Sequence, residues 1–253
     1  MTGASSGLGR AMALQAIRRG ARVVISARRA EVLDEVRRAS AHPENVRIVV
    51  LDQADLDQSA AAARDAIAAF GGLDVIILNG GISQRSLAIE TDITVDLQLM
   101  QVNHFANVAI IKSILPALIA QPAARIGVVS SLVGRVGSPY RSGYAASKHA
   151  LHGFFDSLRA EIPETVSITM VCPGFVKTDV SINALTGDGS TLGKMDRAQA
   201  QGLDVEPSAA RALEAIVARK LEVYIAGPEG KAIWLQRWAP GILARKLRSA
   251  RVR

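Results

Sequence analysis

The chain has 253 residues, 49% hydrophobic but only 4% aromatic, which fits one α/β domain with a large aliphatic core of the kind a parallel sheet buries under helices. Its formal charge is +7, yet residues 231–253 alone carry seven Lys or Arg and no acid, leaving 23 basic and 23 acidic groups in the rest. A neutral body excludes a specific nucleic-acid face on the domain. A single cysteine, Cys172, excludes an intramolecular disulfide and suits a reducing, cytoplasmic setting.

Apolar periodicity alternates between strand and helix along the chain, the pattern of βαβ units. Strands are expected at 22–27, 46–51, 73–78, 125–130, 166–172 and 221–226. Helices are expected before and between them, at 8–19, 30–40, 56–70, 94–119, 142–162 and 207–220. The first helix is entered through Thr2-Gly3-Ala4-Ser5-Ser6-Gly7-Leu8-Gly9. Glycines there let the backbone turn tightly against a pyrophosphate, and the free N–H groups of the helix start favour an anion. No apolar run reaches the ~18–20 residues of a bilayer span. Residues 102–120 come closest, with His104, Lys112 and Pro116 interrupting them.

The chemistry-bearing motif is Tyr144-Ala145-Ala146-Ser147-Lys148, with Ser131 thirteen residues upstream of Tyr144. Residues four apart on a helix share a face, so the Lys148 ammonium is expected beside the Tyr144 ring. A phenol titrates near ~10, and a fixed cation should lower that value, which suits a proton donor and acceptor for an alcohol/ketone pair. Along a strand, neighbours alternate in direction, so Ser130 should face away from Ser131.

The glycine loop at 2–9, Leu78-Asn79-Gly80-Gly81, Asn103, Ser131, Tyr144 with Lys148, and Pro173-Gly174 followed by Thr178 occur in one order. Together they resemble the short-chain dehydrogenase/reductase family, in its form of about 250 residues, over nearly the whole chain to about residue 226. The resemblance implies a doubly wound Rossmann sheet in three layers, forming a single catalytic domain over 1–230 ahead of a basic amphipathic tail at 231–253. One departure is that the family usually has Asn-Ala-Gly where this chain has Asn79-Gly80-Gly81. A second is that only Met1 precedes Thr2, where the family has its central strand. A preceding strand of roughly 6–10 residues is therefore expected, strands averaging ~5–6.

The resemblance also assigns roles. Tyr144 is the acid and base, Lys148 lowers its pKa and grips the nicotinamide ribose, Ser131 donates to the substrate oxygen, and Asn103 completes a proton relay. Gly3, Ser5, Ser6, Gly7, Leu8 and Gly9 take the pyrophosphate, Asp52 and Gln53 flank the adenine, and Asn79 and Gly81 line the adenosine ribose. Pro173, Val176 and Thr178 hold the nicotinamide end. At the end of the second strand stands Ser26-Ala27-Arg28-Arg29, with no acid before Glu31. An acid there binds the ribose hydroxyls of NAD, whereas arginine matches a 2′-phosphate, so NADP(H) is expected, with Arg28 as main contact and Arg29 as support. No metal is expected, and His104, His149 and His152 read as helix-surface or packing residues. The activity implied is an NADPH-dependent carbonyl reductase or alcohol dehydrogenase acting on a small molecule, and a homo-oligomer is expected. A catalytically silent nucleotide-binding scaffold is the alternative, and the intact Asn103, Ser131, Tyr144 and Lys148 argue against it.

Residues 179–204 read as a lid, loosened by Gly187, Gly189 and Gly193, with Ile182, Leu185, Leu192 and Met195 able to close over a lipophilic substrate. In the tail, Trp234 and Trp238 share a helical face, Pro240-Gly241 breaks the helix, and Ile242, Leu243 and Leu247 begin a second apolar stripe. Two readings stay open there. The tail packs on the lid or on a partner subunit, or it lies in a membrane interface as a peripheral contact.

Overall fold

The computed structural model describes residues 1–249, and Arg251 and Arg253 of the basic tail lie outside them. Six parallel strands are β1 (Val23–Ala27), β2 (Val46–Val50), β3 (Val75–Leu78), β4 (Ala124–Val129), β5 (Val166–Pro173) and β6 (Glu222–Ile225). They form two sheets, β1-β2 and β3-β4-β5-β6. Between β1 and β3 the backbone connection among the described residues runs through the first residues of the chain. The Met1 ammonium donates to Val24 O at 2.7 Å, Ser26 N donates to Met1 O at 2.9 Å, and Thr2 N donates to Ile77 O at 3.0 Å. Burial pushes the Met1 ammonium pKa down to about 5.

Strand alternation sorts the side chains into two cores. Ile76, Leu78, Ile126, Val128, Ile168 and Met170 face one helical layer. That layer is α3 (Leu56–Ala68), the long helix of α4 (Ile93–Met100) and α5 (Ala106–Ile119), and α6 (Ser142–Glu161). Ile77, Val129 and Val171 face α1 (Gly7–Arg18) and α8 (Val205–Val217) on the opposite side. The small helix α2 (Ala30–Arg38) packs Leu33 and Val36 on β1 and β2. This is the three-layer α/β Rossmann arrangement, and helices and strands fall where the periodicity puts them, with ends moved by one to three residues.

One apolar segment departs from the sequence reading, although its helix falls where expected. Residues Ile93–Ile119 run on as a single rod with a π-helical turn at Gln101–Phe105, long and apolar enough to cross a bilayer, with an 18-residue stretch whose mean hydropathy is 1.4. His104, Lys112 and Pro116 do not break it. The rod is a core element here, burying Ile110, Ile111, Ile114 and Leu118 against α3 and the sheet.

The segment at 179–204 holds the short helix α7 (Arg197–Ala200) and is tied down by backbone pairing of Arg85 N with Leu185 O and of Leu185 N with Ser83 O, both at 2.8 Å. The tail forms α9 (Lys231–Trp238) and α10 (Pro240–Arg248), with Pro240 opening the second helix. Leu243 is buried, while Trp234 and Trp238 are 68% and 72% exposed at the surface, with the Arg237 guanidinium 5.5 Å from the Trp238 ring centroid.

Candidate active site

A cleft of about 590 Å³ opens at the carboxyl ends of the strands, the place where open α/β sheets bind ligands. Its floor begins with the glycine loop. Gly3 has φ +62°, and a Cβ there would sit 2.7 Å from Gly80 Cα. A Cβ on Gly9 would overlap the Asn79 amide and the Gly3 carbonyl. The loop is thus packed as closely as backbone allows. Ser6, at the N-cap of α1, makes no side-chain capping bond, so the leading N–H groups of the helix face the cleft as an anion cradle. Ser5, Ser6, Gly7 and Leu8 line it. Arg28 and Arg29 line the same cleft at the end of β1, both exposed, and neither forms an ion pair among the described residues. The donor set fits a nicotinamide dinucleotide, with its pyrophosphate at the helix start.

Two expected cofactor contacts, Asn79 and Gln53, line the cleft and also bond to the protein around it. Asn79 lines the cleft, but its amide donates to Thr2 O at 3.1 Å and Gly3 O at 3.2 Å, so it braces the glycine loop. Gln53 donates to Val102 O at 3.3 Å, and its Oε1 fills the space a Cβ on Gly80 would take, which accounts for glycine where the family pattern has alanine. Asp52, Gly81, Pro173, Val176 and Thr178 all line the cleft.

Helix α6 carries Tyr144 and Lys148 to the floor beside Ser131. Ser131 Oγ donates to Pro173 O at 3.3 Å and accepts from Val133 N at 3.3 Å. Ser130 turns the other way, into contact with His152 Nε2 at 3.0 Å. Lys148 is buried, its Nζ donating to Val129 O at 3.0 Å and lying 5.9 Å from the Tyr144 ring centroid. Burial lowers the Lys148 pKa to about 8. The expectation that Lys148 depresses the Tyr144 pKa is corrected here: burial raises it, and the groups opposing that rise are the Ser131 hydroxyl, Arg141 and Arg85. Desolvation of a phenolate outweighs a cation that spends its own hydrogen bond on a carbonyl. Asn103 is fully buried in the π turn. Its amide donates to Ile82 O and Ser147 Oγ, both at 2.9 Å, and its Oδ1 accepts from Ile82 N at 2.8 Å. It therefore braces the Gly81–Ile82 turn and α6 from behind and does not open on the cleft.

Several side chains that sequence reasoning missed complete the site. Gln84 is fully buried, and its Oε1 accepts from Gly143 N at 2.9 Å and Tyr144 N at 3.2 Å, capping α6 directly under the tyrosine. Gln199 of the lid donates to Val176 O and, at 3.3 Å, to Thr178 Oγ1, tying the lid to the Pro173–Thr178 segment. Arg85 and Arg141 line the far end of the cleft with Tyr144. The signal for Gln84 and Arg85 was a run of four polar residues, 83–86, soon after β3. Beneath the site, His152 is not a surface residue: it is buried within 3.8 Å of Cys172 Sγ and 3.9 Å of Glu222 Oε1, an acid the sequence reading did not bring near it. Burial and Arg135 lower its pKa to about 4. His149 is exposed, and His104 stacks edge-on against Phe105 and Phe154.

A glycine cradle at a helix start, an adjoining Ser–Tyr–Lys floor and a parallel sheet define a nicotinamide-dependent oxidoreductase. The chain belongs to the short-chain dehydrogenase/reductase family, whose short chain dehydrogenase model matches residues 1–188. It is similar to dehydrogenase/reductase SDR family protein 7-like of Anopheles gambiae, 39% identical with 96% of this chain and 79% of that protein covered. Dehydrogenase/reductase SDR family member 7B of Bos taurus is also 39% identical, covering 98% of this chain and 79% of that protein. Among solved structures, a short-chain dehydrogenase of Burkholderia cenocepacia J2315 in complex with NADP matches with TM-score 0.80 and 25% identity, covering 98% and 96% of the two chains. An enzyme of Burkholderia phymatum in complex with NAD shares the fold, with TM-score 0.82, 23% identity and coverage of 96% and 93%.

Proposed function

We propose that this chain is an NADP(H)-dependent oxidoreductase that interconverts a carbonyl and a secondary alcohol, with Tyr144 as acid and base. The observation that carries the reading is one cleft that joins the glycine cradle, the unpaired Arg28 and Arg29, and the Ser131–Tyr144–Lys148 floor. When bound, the nicotinamide supplies or accepts the hydride. Ser131 donates a hydrogen bond to the substrate oxygen and holds the carbonyl where negative charge develops. Tyr144 gives that oxygen its proton in reduction and removes it in oxidation. Lys148 carries its charge at the floor, Asn103 and Gln84 hold the turn and helix that place these groups, and the lid excludes water. Residues 1–230 form the catalytic unit, and the exposed Ile93, Leu97 and Phe105 along the long helix, with the exposed Ile89 in the turn before it, support assembly with further copies of the chain.

The test follows NADPH and NADH oxidation with a panel of ketones. Efficiency with NADPH should exceed that with NADH by at least ~10-fold, and Arg28→Ala should erase the difference, a change of ~1.4 kcal/mol in discrimination. Equal or better use of NADH refutes the cofactor choice. No oxidation with any ketone would favour a silent nucleotide-binding scaffold.

A further inference from the structure

Two arginines stand at the substrate end of the cleft that carbonyl reduction does not by itself require. Arg85 and Arg141 are each 7% exposed, and among the described residues they share one carboxylate, Asp196, itself 4% exposed. Arg85 is committed: its Nε donates to Asp196 Oδ2 at 2.5 Å, and its Nη1 donates to Ser83 Oγ at 2.8 Å and Gln84 O at 2.7 Å. Arg141 is not. Its ion pair with Asp196 is long, 3.8 Å, and its buried Nε has no hydrogen-bond partner among the described residues. The guanidinium is held over the Phe175 ring at 5.1 Å, so it is positioned yet unsatisfied.

The charges around it do not balance. Tyr144 and Arg85 face Arg141 from α6 and the loop after β3, and Asp196 faces it from the lid. Asp179 lines the cleft but is exposed, and Asp96 packs behind Gly143 and forms no ion pair with either arginine. Two buried cations against one buried anion leave one positive charge uncompensated, which a folded chain retains at a cost unless a ligand supplies the partner. Val180 and Leu185 line the same end and give it an apolar wall.

We propose that Arg141, backed by Arg85, is an oxyanion-binding subsite, and that the substrate is a carbonyl compound bearing a carboxylate or phosphate group with an apolar remainder. This rests on the reductase reading above. The planar guanidinium fork matches either oxyanion in a bidentate pair and fixes the carbonyl against Ser131 and Tyr144.

Two matched pairs of probes test it: a keto acid with its methyl ester, and a ketoalkyl phosphate with its dimethyl ester, each with NADPH. The anionic member of at least one pair should show the higher kcat/KM, and which pair does so separates carboxylate from phosphate. Arg141→Gln should lower the anion-to-ester ratio by about 30-fold, mainly through KM, with Arg141→Lys restoring part of it. Calorimetric titration of the NADP⁺-saturated protein with pentanoate and with methyl phosphate gives a readout that needs no turnover. Binding in the wild type that Arg141→Gln abolishes supports the subsite even if no ketone is reduced, in which case the reductase reading alone fails. Reduction of the neutral esters as efficiently as of the acids overturns the subsite and leaves the reductase reading standing. A change in the kcat pH profile that is equal for both members of a pair, with their ratio unmoved, overturns it too, because Arg141 would then act only on Tyr144.

Discussion

Asp196→Asn probes how the lid is locked. In the structure one carboxylate, 4% exposed, faces Arg85 at 2.5 Å and Arg141 at 3.8 Å. Asparagine keeps the shape but leaves two guanidinium groups buried without a counter-charge. Breaking one side of a buried ion pair costs ~3–5 kcal/mol, mostly the desolvation of the charge left behind. For a chain of this size that is a melting temperature lower by ~6–20 °C, if the lid unfolds together with the body. If the lid opens on its own, the loss appears locally instead, as faster hydrogen exchange. The amides to watch are Arg85 and Leu185, which pair with Leu185 O and Ser83 O, and Asp92, which donates to Gly187 O at 2.8 Å. Calorimetric melting and exchange mass spectrometry over residues 83–92 and 179–204 cover both cases. Adding Arg85→Met to Asp196→Asn should be less damaging than the sum of the two changes, since the pair is removed together. A melting temperature within about 1 °C of wild type, with unchanged exchange in the lid and at Arg85, would refute the idea that this pair locks the lid, given the cost expected for a buried charge.

Tyr144→Phe should reduce turnover by ~10²–10⁴ while NADPH binding, read by fluorescence titration, changes little; retention of a tenth of the rate would contradict the acid/base assignment. Lys148→Ala should weaken both readouts. Gly9→Ala should abolish cofactor binding, because its Cβ meets the Asn79 amide and the Gly3 carbonyl, whereas Gly80→Ala displaces only the mobile end of Gln53 and should bind nearly as well. His152 has a folded pKa near 4, below the ~6.5 of an unfolded histidine, so its contribution is present above pH ~6.5 and is lost as pH falls toward 4. Discounted for partial solvation, the loss should be ~1–2 kcal/mol between pH 7 and 4.5 in urea titrations, and His152→Phe should flatten that slope. Deleting 234–253 should abolish sedimentation with anionic liposomes if the exposed Trp234 and Trp238 sit in a membrane interface; an intact protein that never sediments would assign the tail to packing.

The local parts of this protein were written in its sequence. Period-2 and period-3.6 patterns placed β1–β6 and the principal helices, because side-chain direction repeats within each element whatever lies around it. The glycine loop and the Tyr144–Lys148 spacing were readable for the same reason, since a turn and one helical face are local objects. The missed features are contacts between distant segments. Arg85 and Asp196 are 111 residues apart, joined only when loops close over the strand ends, and Cys172 and Glu222 are 50 apart, joined only when β5 and β6 pair. No periodicity marks such pairs. Burial is likewise a tertiary quantity, and it set the direction of the Tyr144 pKa against the expectation from its lysine neighbour. It also turned Asn103 into a brace, because an amide removed from water must spend its donors on the nearest acceptors.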